Sequence, residues 1–169
     1  MVPDLPASQT PSPESAMNSS STVSAQGLSA SASINKRNTS LSSTAEVAGR
    51  ALLGLLFLLS GLGKLGAYSA TAGYMTASGV PGALLPVVIA TEVLGGLGII
   101  LGFRTRIVAF LLAGFSLVTA ITFHNNLGDQ IQMIMFFKNI AIAGGFLTLV
   151  ANGAGAFSLD ARFANRQAR

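Results

Sequence analysis

Residues 83–102 read ALLPVVIATEVLGGLGIILG, twenty residues with a single charge, Glu92. A helix rises about 1.5 Å per residue, so a stretch of this length crosses the roughly 30 Å of hydrocarbon in a bilayer. Nothing in it alternates with period two, which argues against a strand, and a helix satisfies its own backbone in lipid. Eleven Leu, Ile and Val residues lie between Leu84 and Leu101. At about 0.3–0.6 kcal/mol each they return roughly 4–5 kcal/mol of insertion energy, more than the about 2.5–3.5 kcal/mol that one central charge costs. The stretch is therefore expected to insert in spite of Glu92.

The sequence on either side is similar. Residues 48–66 (AGRALLGLLFLLSGLGKLG), 107–123 (IVAFLLAGFSLVTAITF) and 131–151 (IQMIMFFKNIAIAGGFLTLVA) are apolar and nearly long enough or long enough to span. The prediction is an all-α fold: a four-transmembrane-helix bundle, with spans at about 48–66, 83–102, 107–123 and 131–151 inside a membrane domain at 45–162. The chain of 169 residues is only 9% charged, against roughly 25% in soluble domains. It has no cysteine and one histidine, so disulfides, iron–sulfur clusters and zinc–thiolate sites are excluded, and no metal site is expected. Residues 1–44 differ in kind. They hold 13 of the 18 serines and four of the six prolines, too little apolar surface to offset chain entropy, and read as a disordered tail without a secretory signal's apolar stretch. Residues 163–169 read as a short basic C-terminal tail.

Charge placement sets an expected topology. With four spans, both termini and the second loop share one side. That side carries eight basic residues: Lys36, Arg37, Arg50, Arg104, Arg106, Arg162, Arg166 and Arg169. The other side has Lys64, while Lys138 lies within a span. The positive-inside rule puts both termini in the cytoplasm of a bacterium, with the protein in its inner membrane. The net charge of +4 is thereby a membrane-orientation pattern with contact to anionic lipid, and no nucleic-acid partner is expected. The Phe103–Arg106 turn makes the second and third spans antiparallel neighbours. Residues 67–78 are uncharged and read as a short interfacial helix with Tyr68 and Tyr74 at the headgroup level, ended by Gly79-Val80-Pro81-Gly82. Small residues, Gly98-xxx-Gly102 among them, are suited to close helix packing.

Ionisable residues inside a membrane carry the functional information. Lys64, Glu92, His124, Lys138 and Asn139 all fall in the outer half of the expected bundle, each of the four spans supplying at least one. These five are the candidate ligand-binding residues; no pattern marks a catalytic group. Each has a simpler reading. Lys64 would snorkel to the outer headgroups, Arg50 would anchor in the inner leaflet, and His124 would cap a helix C-terminus. Glu92 and Lys138, at similar depth, are expected to form a buried pair, structural or part of a site.

The segment from Glu46 to Arg162 resembles the DoxX family of four-helix bacterial membrane proteins. The resemblance is carried by Arg50, Ser60-Gly61-Leu62-Gly63-Lys64, Gly79-Val80-Pro81, Thr91-Glu92-Val93-Leu94-Gly95-Gly96 and Gly102-Phe103-Arg104-Thr105-Arg106. Further along come His124, Lys138-Asn139, Gly144-Gly145 and Gly155-Ala156-Phe157-Ser158-Leu159-Asp160. The family takes its name from a subunit linked to quinol oxidation, so the resemblance implies a quinone- or quinol-interacting membrane subunit of an oxidoreductase system. Such a protein would bind quinone, or a flavin, non-covalently, or serve a partner that carries the cofactor; no covalent cofactor is expected. The alternative is a non-enzymatic membrane component, an assembly subunit or a small-molecule carrier, in which the buried ion pair is structural.

Overall fold

The computed structural model describes residues 43–167. Four helices are long and apolar enough to cross a membrane: Ser43–Gly66, Gly82–Leu101, Thr105–Phe123 and Gln130–Asn152. The first is α1. A one-residue break at Ala67 leads into α2 (Tyr68–Ala77). A single 3-10 turn (Gly82–Leu84) runs directly into α3 (Leu85–Leu101). Then follow α4 (Thr105–Phe123), α5 (Gln130–Asn152) and α6 (Leu159–Gln167). No strand occurs among the described residues. Of the expected tail at 1–44 only Ser43 and Thr44 are described, and they open α1; the rest lies outside the described residues. The expected basic C-terminal tail is helical as far as Gln167.

Buried positions recur at heptad spacing. On α3 they are Leu85, Ile89, Glu92, Gly96 and Ile99; on α4, Thr105, Ala109, Leu112, Ser116 and Ala120 lie on one face. This is the seam of antiparallel helices packed side by side. The centre of the bundle joins Phe57, Ile99, Ala109, Leu112, Ala113, Ala143 and Phe146. Phe57 meets Phe146 edge-on at 5.2 Å, a favoured aromatic geometry. The opposite faces carry Leu52, Val87, Phe110, Ile121 and Ile131, each more than 60% exposed. In water such surfaces would aggregate; in a bilayer they are the lipid contact.

Glycines set how closely α1 and α3 approach. A Cβ on Gly54 would stand 2.7 Å from the Gly96 carbonyl oxygen, and one on Gly96 would stand 2.7 Å from the Gly54 carbonyl oxygen and from the Leu58 nitrogen. Of the expected Gly98-xxx-Gly102 pair, Gly98 has only ordinary contacts with Val108, whereas a Cβ on Gly102 would stand 2.5 Å from the Arg50 guanidinium and from the Ser158 Cβ. Gly102 also sets the chain's direction. At φ 69° it ends α3 in the left-handed conformation, and the Phe103 N–H bonds back to the Gly98 carbonyl at 2.9 Å.

The end of the bundle nearer α6 is closed by a clamp. Arg50 is 4% exposed and donates from Nη1 to the Ala154 carbonyl (2.6 Å) and from Nη2 to the Phe157 carbonyl (2.7 Å). Arg50 is therefore no lipid-facing anchor: the chain after α5 folds back over it and supplies the carbonyls that headgroups would otherwise have provided. Asp160 continues the clamp. Its carboxylate accepts from the Arg104 N–H (2.7 Å) and the Thr105 N–H (2.9 Å), capping α4, while its own N–H donates to the Gly102 carbonyl. Burial alone would raise its carboxyl pKa. The Thr105 and Arg104 N–H groups and the Arg104 charge outweigh burial and hold it below the usual carboxylate range.

Candidate functional site

Gly61 brings α1 against α3 at the other end of the bundle. A Cβ there would stand 3.1 Å from the Glu92 Cβ, so the next helical turn of α1 faces the Glu92 carboxylate. That turn carries Lys64, whose Nζ donates to both Glu92 carboxylate oxygens at 2.8 Å. Ser60, one turn earlier on the same face, donates to Glu92 Oε1 (3.1 Å) and accepts from Lys64 Nζ (2.8 Å). The Glu92 side chain is 6% exposed and that of Lys64 is 25% exposed. The buried carboxylate is thus satisfied by three donor contacts from one helix.

The pair expected between Glu92 and Lys138 does not form. Lys138 is exposed, and its Nζ approaches only the Met135 sulfur of its own helix, at 3.0 Å. The reason is packing: α1 lies directly on α3 at Gly61, whereas α5 packs on α4 and, through Gly145 and Phe146, on α1. The same geometry corrects the reading of Lys64 as a snorkelling cation, since its ammonium turns inward to the carboxylate. His124 does stand at the α4 C-terminus, where its N–H bonds the Ala120 carbonyl. Its Nδ1 lies 2.8 Å from Gln132 Oε1. A carbonyl oxygen can only accept, so Nδ1 carries the proton and Nε2 is left as an acceptor in the neutral ring. Asn139 donates from Nδ2 to the Met135 carbonyl, leaving its side-chain oxygen available.

A cavity of about 400 Å³ joins these groups. All five sequence candidates, Lys64, Glu92, His124, Lys138 and Asn139, line it. α2 closes one side: Met75 is 3% exposed and packs on Leu85 and Ile89, and Tyr74 stacks on Phe123 at 5.6 Å. The remaining wall is mostly apolar, with Phe57, Phe115, Val118 and Ile142 among its members. Sequence reasoning missed Ser60, Thr71, Thr119 and Thr122 as wall residues. Only Ser60 had a readable signal, its i,i+4 spacing to Lys64; a threonine in an apolar helix usually bonds its own backbone, as Thr119 does to the Phe115 carbonyl. Among the described residues no three His, Asp or Glu side chains cluster, and what the cavity offers a guest is hydrogen bonding and charge.

Four apolar spans around a largely apolar cavity with a few polar side chains define a polytopic helical membrane protein. The chain belongs to the DoxX family, whose model matches residues 45–125. It is 49% identical over 111 residues to inner membrane protein YqjF of Escherichia coli (strain K12), covering 66% of this chain and 85% of that protein. It is 40% identical over 115 residues to inner membrane protein YphA of the same organism, covering 64% and 82% respectively. No solved structure is significantly similar to it. With such relatives and four apolar helices, the chain is a multi-pass inner-membrane protein.

Proposed function

We propose that the cavity binds the headgroup of a small membrane-soluble molecule, a quinone or quinol, and that the protein serves a redox system as its quinone-interacting membrane subunit. In this reading both termini face the cytoplasm, the cavity opens in the outer half of the bilayer, and α2 lies along the outer interface with Tyr68 and Tyr74 at headgroup level. The observation that carries it is convergence: polar side chains from α1, α3, α4 and α5 line one cavity whose remaining wall is apolar. Intramembrane polar groups are costly, and a cavity with a few convergent polar groups on an apolar background is the usual form of a small-molecule site. The carbonyl oxygens of a quinone need donors, and a quinol needs acceptors. Lys138 offers the first and His124 Nε2 the second, while Glu92, shared with Lys64, is placed to exchange a proton. No catalytic residue is assigned.

A second reading rests on the Lys64–Glu92–Ser60 cluster, which is complete by itself and staples α1 to α3. On that account the protein is an assembly subunit and the polar groups are structural. Equilibrium binding of a short-tailed quinone analogue separates the two. The wild type should bind saturably, Glu92→Gln should bind at least about tenfold more weakly, and Arg104→Gln, at the far end, should bind as the wild type does. No saturable binding to the wild type, or equal loss in both variants, would establish the structural reading instead.

A further inference from the structure

The charges around the cavity do not balance. Its wall contains two ammonium groups, Lys64 and Lys138, and one carboxylate, Glu92. Glu92 is engaged through both oxygens by Lys64, with Ser60 on one of them. Among the described residues, Lys138 is left with a thioether sulfur, a weak acceptor, as its hydrogen-bond partner. An ammonium on a membrane-embedded helix normally finds a carboxylate, backbone carbonyls or headgroups. Among the described residues the neighbouring wall holds no second carboxylate, only neutral acceptors, the Asn139 side-chain oxygen and His124 Nε2.

We infer that the cavity's guest is an anion and that Lys138 is its counter-ion; this rests on the reading of the cavity as a ligand site. An anionic oxygen beside Lys138 completes the charge balance, and the apolar wall takes the rest of the molecule. Among quinone-type ligands, acidic ones are selected: a hydroxyquinone or a quinol monoanion in preference to a neutral quinone. The same chemistry is supplied by a lipid phosphate reaching Lys138 from the bilayer, and the two sources behave differently under test.

The probes are an alkyl hydroxynaphthoquinone, ionised at neutral pH, and its methyl ether, which cannot ionise. Affinities are measured for wild type, Lys138→Met and Lys138→Arg in a neutral maltoside detergent and in phosphatidylcholine nanodiscs, with thermal melting as the folding control. The wild type should prefer the acid by at least about tenfold, Lys138→Met should lose that preference while still binding the ether, and Lys138→Arg should restore most of it. A preference that persists in nanodiscs assigns the anion to a small guest. A preference present in detergent and abolished in nanodiscs assigns it to lipid phosphate, the same counter-ion role with a different source. Equal affinity of wild type for acid and ether, or equal loss of both in Lys138→Met, overturns the inference and leaves the quinone site standing. Absence of binding by both compounds overturns both.

Discussion

Lys64 and Glu92 are unequal partners. The Glu92 side chain is almost sealed, whereas that of Lys64 is a quarter exposed. Removing the lysine strands a buried charge; removing the carboxylate leaves a flexible cation that can swing towards headgroups. Lys64→Met should therefore destabilise by about 3 kcal/mol, Glu92→Gln by clearly less, and the double variant should recover much of the Lys64→Met loss. Thermal unfolding in detergent measures all three, and equal losses in the two single variants would contradict the geometry. The site was partly legible from residue type alone. Five polar residues at similar depth predicted a shared location, and the cavity contains all five. Which lysine meets Glu92 was not legible, because depth along a helix says nothing about which neighbour it packs on. That choice is made at Gly61, a residue without chemistry of its own.

At the scale of elements, α1 and α3 depend on backbone-to-backbone contact. Gly96→Ala would place a methyl against the Gly54 carbonyl oxygen and the Leu58 nitrogen, neither of which can move without shifting a helix. The expected loss is about 1–3 kcal/mol, accompanied by weakened ligand binding, because the same helix pair holds Lys64 on Glu92. Gly144→Ala, with open space around it, should be close to neutral, and a thermal melting series of the two separates packing from helix propensity. Span limits followed closely from hydropathy, since length and apolarity are one-dimensional properties. The expected second span, 83–102, meets Gly82–Leu101, and the third and fourth end within two residues of their expected limits, whereas the first begins at Ser43, five residues before the expected 48. The fold-back of residues 153–160 over Arg50 escaped such reasoning, because glycines and carbonyls acquire that role only through long-range geometry.

For the whole molecule the property to measure is orientation. A cysteine-free chain allows single thiols to be placed at will. A cysteine at Asp129, in the α4–α5 loop, should react with a membrane-impermeant maleimide in intact cells. One at Arg166, on α6, should react only after lysis. The reverse pattern would turn the bundle over and place the cavity mouth on the cytoplasmic side.

The Arg50 clamp also bears on biogenesis. A nascent chain emerges from the ribosome in order, so α1 enters the bilayer well before Ala154 and Phe157 exist. During that interval the guanidinium has none of the carbonyls that later hold it, and it must be sheltered by water at the translocon or by lipid phosphates. The bundle thus closes upon itself only when the stretch after its last span is made, and a chain stalled before residue 154 would present an unclosed first helix to membrane quality control.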